Sequence, residues 1–410
     1  MRVDAVVIGG GPAGLTAAAE LARRGANVAV LDENPVFGGK LLGQLHESPD
    51  GHWWKGWEVA EGLEREAREA GAALRGNASV WALEPGWRVH VADALNRPGQ
   101  PVVYQAEVVL VATGACEKPV AFPGWTLPGV MTVGAAQVST NVHRVLPGGR
   151  VLVAGIDPLA LTVARQLALA GARVAGVFLP PPLPANGAAG DVRSTLARLS
   201  SLARLAPTPW LRLAAGALNS GLVRELAARV DVPGGVRVWG VPVFHRTALI
   251  EAVGDGRVER AAVAPVGPDG EPVARLARWV EVDAVCLSGG LAPLAELPAT
   301  LGCALASEER LGGEVPLHGP ELEASRPGVY VAGDVTGVEG AEVAMAKGRL
   351  AGLAMSRRLG LGVTDAELRA ARDGLERARR EAKIEFYPGA REAHADLAAR
   401  WRQTAAAAAR

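Results

Sequence analysis

Residues Ala5–Gly14 read AVVIGGGPAG, and this stretch decides the fold class of the chain. The apolar run Ala5–Ile8 is short and stops at glycine, which is typical of a buried parallel strand. The glycines that follow have the spacing Gly9-x-Gly11-x-x-Gly14. The first allows a tight turn, the second lets the backbone approach a diphosphate, and the third permits close helix packing. The stretch therefore predicts a dinucleotide-binding strand–turn–helix.

The residues that flank the turn agree with this prediction. Pro12 and Ala13 begin the predicted helix, whose N-terminal amides would face the phosphates. The next strand, Val28–Leu31, closes at Asp32, eighteen positions after the last glycine of the turn. An acid at this place is typical of ribose recognition, and the neighbouring Glu33 is an alternative partner for the same hydroxyls.

Two distant fragments have the same form of a Val-rich run that stops at glycine. They are Val109–Gly114 (VLVATG) and Val329–Asp334 (VYVAGD). Ligands of doubly wound sheets bind at the carboxyl ends of the strands, so we expect the three fragments to meet around one flavin dinucleotide. The acid of the third fragment, Asp334, is suited to bond the ribityl chain.

The remaining candidates flank these fragments. Gly38-Gly39 would let the backbone lie against the flavin half of the ligand, and Gly340–Met345 would start a helix facing the isoalloxazine carbonyls. Lys40 is either a charge near the ring or a solvated loop residue. The candidate cofactor-binding residues are Gly9, Gly11, Pro12, Ala13, Gly14, Asp32, Glu33, Gly39, Lys40, Val80, Ala112, Thr113, Gly114, Gly333, Asp334 and Val343. No catalytic residue is assigned.

A second strand–turn–helix begins at Arg150–Gly155 and has a damaged phosphate cradle. Asp157 stands where the diphosphate-approaching glycine belongs, and Ala160 replaces the third glycine. A carboxylate repels a diphosphate, and a Cβ blocks its approach. The following strand ends at Phe178–Pro180 without an acid for NADH or an arginine cluster for NADPH. We therefore expect a retained fold whose NAD(P)H binding is doubtful.

Composition excludes several classes of protein. The formal net charge is zero, which disfavours a nucleic-acid groove or a polybasic membrane patch. Cys116, Cys286 and Cys303 are isolated, so we expect no metal site and no cysteine-ligated cluster. The N-terminus lacks the basic start of a signal peptide, and no apolar run reaches the roughly 18 residues of a membrane span. We expect a soluble, cytoplasmic protein.

The order of these segments predicts an α/β protein with two nested Rossmann-like domains. We place the FAD-binding domain at 1–118 plus 284–360, a degenerate NAD(P)-binding-like domain at 119–283, and a helical tail at 361–410 that consists of surface helices. We also expect a small antiparallel excursion over Val80–Ala92 and Pro101–Val111, and helices at roughly Val192–Leu205 and Trp210–Val230. The strand Asp283–Leu287 is expected to resume the first sheet. Trp53, Trp54 and Trp57 are interpreted as a core contact or helix staple, or as a substrate or partner surface. The Pro-rich insertion Phe178–Pro184 is expected to be exposed.

Together these motifs resemble the two-dinucleotide-domain flavoproteins such as thioredoxin reductase and glutathione reductase, although the redox cysteine pair is absent. A closer similarity is to the α-type subunits of hetero-oligomeric amino-acid and amine dehydrogenases, namely sarcosine oxidase, opine oxidase, hydrogen cyanide synthase and dye-linked proline or hydroxyproline dehydrogenase. The segments that carry it are Ala112–Ala115, Phe122–Trp125, Leu127–Val130 and Leu287–Pro293. The resemblance covers residues 1–360.

The resemblance implies FAD as cofactor, with ATP or NAD as alternatives in the same site and FMN at a subunit interface. It also implies a second FAD-containing subunit that oxidises the substrate. The Cys-rich [2Fe-2S] module of some relatives is missing, so an iron–sulfur centre would belong to a small ferredoxin-like subunit. Two alternatives remain open: a stand-alone flavin-dependent NAD(P)H oxidoreductase and a non-catalytic nucleotide-binding scaffold.

Overall fold

The structure is a computed structural model that describes residues 1–47, 51–93, 100–182, 190–201, 206, 208–267, 269–382 and 384–408. Pro184, the end of the helix predicted over Val192–Leu205, and the last two residues lie outside this range. The chain forms two compact units. Unit 1 comprises Met1–Leu42, Gly56–Cys116 and Leu291–Arg410, and unit 2 comprises Gly43–Lys55 and Glu117–Gly290.

The described residues form 22 β-strands and 11 α-helices. The strands are β1 Ala5–Ile8, β2 Val28–Leu31, β3 Leu45–Glu47, β4 Trp53–Lys55, β5 Ala73–Arg75, β6 Ala78–Glu84, β7 Arg88–Asp93, β8 Pro101–Gln105, β9 Val108–Val111, β10 Ala115–Glu117, β11 Val130–Thr132, β12 Arg150–Ala154, β13 Arg173–Leu179, β14 Val236–Val238, β15 Val241–Val253, β16 Arg260–Pro265, β17 Arg278–Glu281, β18 Ala284–Leu287, β19 Leu291–Pro293, β20 Leu305–Glu308, β21 Gly313–Pro316 and β22 Val329–Val331. The α-helices are α1 Pro12–Arg23, α2 Gly56–Glu69, α3 Val133–Asn141, α4 Pro158–Leu169, α5 Val192–Ser201, α6 Pro209–Ala217, α7 Gly221–Ala227, α8 Glu296–Thr300, α9 Ala341–Arg358, α10 Asp365–Glu381 and α11 Ala390–Ala408.

Unit 1 is built on a five-stranded parallel sheet. Its strand order is β22-β9-β1-β2-β5, and each neighbouring pair is parallel. Strands β1, β2 and β9 are buried at all four positions, as their continuous apolar sequences predict for a sheet covered on both faces. The order makes β22, β9 and β1 neighbours, so the three glycine-terminated fragments end side by side.

Helices α1 and α9 of unit 1 pack closely because small residues face each other. A Cβ on Gly348 would lie 2.2 Å from the carbonyl oxygen of Ala13, and one on Gly352 would lie 2.9 Å from that of Ala17. Neither position of α9 can therefore accept a larger side chain without a shift of α1. This contact fixes α9 beside the first turn of α1, where the phosphates are expected.

Smaller elements complete unit 1. Strands β6, β7 and β8 form an antiparallel sheet, which is the excursion that the sequence predicts before β9. In the tail, α10 begins with a capping box between Thr364 and Glu367. The faces of α10 and α11 differ from the purely surface helices we expected, since Leu368, Leu375 and Leu397 are buried.

Unit 2 contains an eight-stranded sheet with the order β11-β18-β12-β13-β15-β16-β17, and β14 pairs with β15. The expectation that Asp283–Leu287 resumes the first sheet is wrong, because β18 pairs in parallel with β11 and β12 of unit 2. All four residues of β18 are buried. An apolar run of this kind fits the interior of either parallel sheet, so its sequence cannot select between them.

The predicted helix Trp210–Val230 is divided into α6 and α7 at Leu218–Ser220. Their outward sides are apolar: Trp210, Leu213, Leu222 and Leu226 are 59%, 78%, 82% and 64% exposed. In the described part of the Pro-rich insertion, Phe178–Pro181 are buried rather than exposed as we expected. Phe178 is buried and stacks on Phe244 at 4.8 Å between ring centroids.

Candidate functional site

The turn after β1 has the geometry that its glycines predict. Gly9 has a positive φ of 103°, and a Cβ there would lie 2.3 Å from the carbonyl oxygen of Ala112. A Cβ on Gly14 would lie 1.9 Å from the carbonyl oxygen of Gly9. In contrast, a Cβ on Gly11 would meet nothing within 4 Å. Two of these glycines are therefore required by the protein itself, whereas Gly11 borders open space.

Helix α1 starts at this open space without a capping side chain. Its N-cap is Gly11, no side chain accepts a hydrogen bond at the cap, and Pro12 is the first helical residue. Ala13 follows and is buried. The free amides of a first helical turn attract anions, and the helix dipole adds to that attraction. This end of α1 fits a phosphate group.

Asp32 forms contacts that the sequence does not reveal. Its Oδ2 accepts a 2.6 Å hydrogen bond from the backbone nitrogen of Gly10. Its Oδ1 accepts bonds of 2.8 Å and 3.0 Å from the backbone and side-chain nitrogens of Asn34. The carboxylate is buried, while Glu33 is exposed. Asp32 therefore ties the strand end to the glycine turn and still has acceptor capacity for a ribose hydroxyl.

The residues after β9 are hydrogen-bonded to the segment around Leu294, where the chain returns to unit 1. Thr113 Oγ1 donates a 2.8 Å hydrogen bond to the carbonyl oxygen of Leu294, and Leu294 N donates one of 3.0 Å to the oxygen of Gly114. Ala112 is buried under Gly9. Gly114 has a φ of 78°, and a Cβ on it would meet nothing within 4 Å. Like Gly11, Gly114 borders open space.

The third strand end carries the second acid of the site, Asp334, which is half-buried. Asp334 follows β22 in the 3-10 turn Gly333–Thr336, and burial raises the pKa of its carboxyl while Lys347 and Lys40 oppose that rise. Lys40 lies in the turn Gly39–Gly43, and its Nζ donates to the backbone oxygen of Ala115. The ammonium of Lys40 is therefore held at the start of β10 and contributes to the field at Asp334, while its place near the flavin ring stays a prediction.

Two predicted cofactor residues have apolar side chains that pack in or against a hydrophobic core. Val343 is buried in the core of unit 1, on the first turn of α9. Val80 lies in β6 opposite Val91, next to a register shift. Gly39 lies against the turn, since a Cβ on it would be 3.2 Å from the Cα of Gly11.

Sequence reasoning missed a buried ionic cluster behind Gly333–Gly340. Glu339 Oε2 lies 2.6 Å from Lys347 Nζ and 2.8 Å from His394 Nε2, and Glu339 Oε1 lies 2.9 Å from Arg379 Nε. Burial alone would raise the pKa of Glu339, but Lys347, His394 and Arg379 together lower it. The available signal was a charged residue, Lys347, directly after the apolar stretch Val343–Ala346 of α9.

The corresponding turn of unit 2 has a different chemistry. Gly155 keeps the tight turn with a φ of 134°, and a Cβ there would lie 2.5 Å from Ser288 Cβ. Asp157 is the N-cap of α4, and its Oδ1 accepts a 2.9 Å hydrogen bond from the nitrogen of Ala160. The carboxylate therefore occupies the helix end that a diphosphate would need.

Two tryptophans of the early segment make ring contacts within unit 2. Trp54 stacks on His46 in the hairpin β3–β4, while the guanidinium of Arg165 lies 5.2 Å from the ring centroid of Trp53. Trp57 belongs to α2. These contacts are the packing alternative of our interpretation, and they leave Trp53 partly exposed.

Across the residues that the structure describes, no group of three His, Cys, Asp or Glu side chains could hold a metal ion. Within the same residues, no helix has the length and apolar character needed to cross a membrane. Burial raises the pKa of the Cys286 thiol to about 12, which makes this cysteine unreactive.

The fold and the paired glycine turns define a protein of the two-dinucleotide-domain flavoprotein class. Residues 4–120 match the family model described as FAD dependent oxidoreductase, and residues 314–360 match that of glucose inhibited division protein A. The two matched regions contain the three strand ends described above.

Two solved structures share the fold. L-proline dehydrogenase from P. horikoshii superposes with a TM-score of 0.64 at 19% identity, covering 92% of this chain and 59% of that chain. Thioredoxin reductase from T. acidophilum superposes with a TM-score of 0.59 at 21% identity, covering 87% of this chain and 99% of that chain. The predicted α/β fold with two Rossmann-like halves and C-terminal helices is confirmed.

Sequence relatives identify the family. An opine oxidase subunit of Agrobacterium tumefaciens (strain Ach5) is 32% identical over 86% of this chain and 65% of its own length. Hydrogen cyanide synthase subunit HcnB of Pseudomonas aeruginosa is 33% identical over 87% of this chain and 71% of its own length. The chain belongs to the family of these two proteins. It spans about two thirds of the opine oxidase subunit that it matches.

Proposed function

We propose that this chain binds FAD non-covalently in unit 1 and acts as the α-type subunit of a hetero-oligomeric amino-acid or amine dehydrogenase. It passes electrons between a partner that oxidises the substrate and an acceptor. The observation that carries the proposal is the order β22-β9-β1, which puts the ends of the three fragments side by side. The family match over residues 4–120 supports FAD as the ligand.

The residues at these strand ends suit the parts of the cofactor. The diphosphate lies at the uncapped start of α1, where Gly11 leaves room for it. Asp32 or the exposed Glu33 takes the adenosine ribose, and Asp334 takes the ribityl chain. Lys40 keeps a positive charge near the flavin end. When bound, FAD supplies the two-electron chemistry, and these residues bind and orient it.

The partner subunits are carried over from the relatives, whose names describe them as subunits of an oxidase and a synthase. We propose a second FAD-containing subunit, with a small ferredoxin-like [2Fe-2S] subunit as a further member. The outward side of α6 and α7 supports a protein interface. Its exposed residues Trp210, Leu213, Leu222 and Leu226 are large and apolar, unlike the usual surface of a helix.

A stand-alone NAD(P)H oxidoreductase is the second candidate, favoured by the fold of unit 2 and by Gly155. Against it, the carboxylate of Asp157 caps α4 at the phosphate end. The dehydrogenase-subunit proposal therefore has the stronger support.

The direct test is to denature the purified protein and identify the released nucleotide by mass. FAD is expected, and recovery of only ATP or NAD would reject the assignment. The variant Asp334→Ala should loosen FAD, because the ribityl acceptor is lost. The matched control is Cys116→Ser, which changes an exposed residue two positions after Gly114 and should retain FAD.

A further inference from the structure

The buried ionic cluster joins three helices of unit 1 to one short connection. Glu339 lies between the turn Gly333–Thr336 and helix α9, and its side chain is 6% exposed. Its three partners come from three different helices: Lys347 from α9, Arg379 from α10 and His394 from α11. Two of these helices belong to the tail beyond residue 361.

The partners occupy both oxygens of the Glu339 carboxylate. Arg379 contacts both, with Nε 2.9 Å from Oε1 and Nη2 3.3 Å from Oε2. The Nε2 of His394 lies 2.8 Å from Oε2. Burial lowers the pKa of His394 to about 3, so its ring is neutral and adds no charge to the contact. Arg379 is therefore the positively charged partner that the tail helices supply to Glu339.

Lys347 links the carboxylate of Glu339 to the segment that follows β22. Its side chain is 1% exposed. Besides Glu339, its Nζ donates to the backbone oxygens of Gly333 and Gly337, each at 3.3 Å. Glu339 N also donates a 3.4 Å bond to Asp334 Oδ1. A displacement of the Glu339 carboxylate would therefore disturb both ends of the segment Gly333–Gly340.

The same segment contacts the phosphate end of the site. A Cβ on Gly333 would lie 3.0 Å from the Cβ of Ala13 in the first turn of α1. On the other side, a Cβ on Gly340 would lie 3.6 Å from the ring of Phe386, which connects α10 to α11. The segment is thus enclosed between the phosphate helix and the tail.

We propose that Arg379 and His394 are positioning residues for the flavin: by holding both oxygens of Glu339, the two tail helices fix Gly333–Gly340 in the conformation that receives the cofactor. This inference rests on the proposed FAD site in unit 1. A buried carboxylate that loses a charged partner must move or become protonated, and either response changes the segment that carries Asp334.

The test compares Arg379→Gln with Arg377→Gln in the full chain. Both residues lie on α10, but Arg377 is exposed and serves as the control. Apoprotein is prepared, and FAD binding is titrated by flavin fluorescence. We expect the FAD dissociation constant of Arg379→Gln to rise about tenfold or more, because a charge-assisted bidentate contact is lost. The control should match the unchanged protein.

Two further readouts separate positioning from general stability. The midpoint potential of the bound flavin should become more negative in Arg379→Gln, since a buried positive charge that favours the reduced anion is removed. Binding is reciprocal, so FAD should slow amide hydrogen exchange in α10 of the unchanged protein and do so less in the variant. Near-ultraviolet circular dichroism confirms that the compared apoproteins are folded.

If Arg379→Gln does not fold, Arg379→Lys is used in its place. Lysine keeps the positive charge but cannot contact both carboxylate oxygens in the way that arginine does. This variant should show a smaller rise in the same direction. A folded variant at Arg379 with unchanged FAD affinity and unchanged midpoint potential would overturn the inference. If the unchanged protein itself binds no FAD, the proposed function fails instead, so the two failures are distinguishable.

Discussion

The carboxylate of Asp32 accepts a 2.6 Å hydrogen bond from the backbone nitrogen of Gly10. The acid at the end of β2 therefore has a structural task inside the glycine turn, in addition to its proposed contact with ribose. It links the strand that supplies the acid to the strand that supplies the phosphate turn. Because Asp32 has both roles, we expect a substitution there to change the stability of the apoprotein as well as its affinity for FAD.

Replacing Asp32 by alanine should destabilise the protein even without cofactor. The nitrogens of Gly10 and Asn34 would lose their acceptor, which costs about 1–3 kcal/mol of unfolding free energy when the groups are buried. The exposed Glu33→Gln is the matched control and should change stability by less than about 0.5 kcal/mol. Urea unfolding of both apoproteins provides the measurement. If Glu33→Gln weakens FAD binding more than Asp32→Ala, Glu33 is the ribose partner.

Two alanine substitutions in the glycine turn should affect different properties, namely FAD affinity at Gly11 and stability at Gly14. A Cβ on Gly11 meets nothing, so Gly11→Ala should leave the apoprotein folded and stable while weakening FAD more than about tenfold by blocking the diphosphate. A Cβ on Gly14 overlaps the oxygen of Gly9, so Gly14→Ala should cost about 3 kcal/mol or prevent folding. Thermal unfolding and FAD titration measure the two effects. Equal destabilisation by both changes would contradict this division of roles.

Reduction of the bound flavin by NADH should be slow in anaerobic stopped flow. The carboxylate of Asp157 occupies the start of α4 and repels a diphosphate. Asp157→Ser keeps a capping oxygen and removes the charge, so it should tighten NADH binding without unfolding α4. Fast, saturable reduction of the unchanged protein with micromolar affinity would instead favour a stand-alone NAD(P)H oxidoreductase.

Stability should fall as the pH drops below about 6.5. Burial lowers the pKa of His245, His318 and His394, to about 4 for His318 and about 3 for His394. These rings stay neutral in the folded protein while the unfolded chain takes up protons, so each shifted histidine contributes a slope of up to ~1.4 kcal/mol per pH unit between its unfolded and folded pKa. The loss is absent above pH 7. Urea unfolding from pH 5 to 7.5 measures it.

The histidine assignment has its own control. His318→Gln should reduce the pH slope, whereas His52→Gln, at an exposed position, should not. An unchanged slope in His318→Gln would show that the ring of His318 titrates alike in the folded and unfolded protein.

The exposed apolar side of α7 should contact the partner protein. Replacing Leu222 and Leu226 by aspartate puts two charges where an interface would exclude water, so the complex should weaken about tenfold or more. Leu169→Asp is the control, because Leu169 is 59% exposed on α4 of the same unit. Co-expression with the neighbouring genes, followed by size exclusion and mass measurement, reports the assembly. A homo-oligomer that oxidises an amine unaided would contradict the subunit proposal.

The sequence alone determined the elements whose causes are local. The runs Ala5–Ile8 and Val28–Leu31 became strands, because apolar runs and the residues that end them act over a few positions. The spacing Gly9-x-Gly11-x-x-Gly14 likewise predicted the tight turn that the structure contains. The candidate ligand contacts of Asp32, Lys40 and Asp334 remain predictions.

Only the tertiary structure decided which distant groups meet. It put β18 in the second sheet, bound Asp32 to Gly10, and brought Arg379 and His394 onto Glu339 from helices 40 and 55 residues further along the chain. The physical reason is that a strand or a charge carries no local sign of its partner. Pairing depends on which buried surfaces the whole chain brings together, and a buried charge such as Lys347 is tolerated only where that assembly supplies its counter-charge.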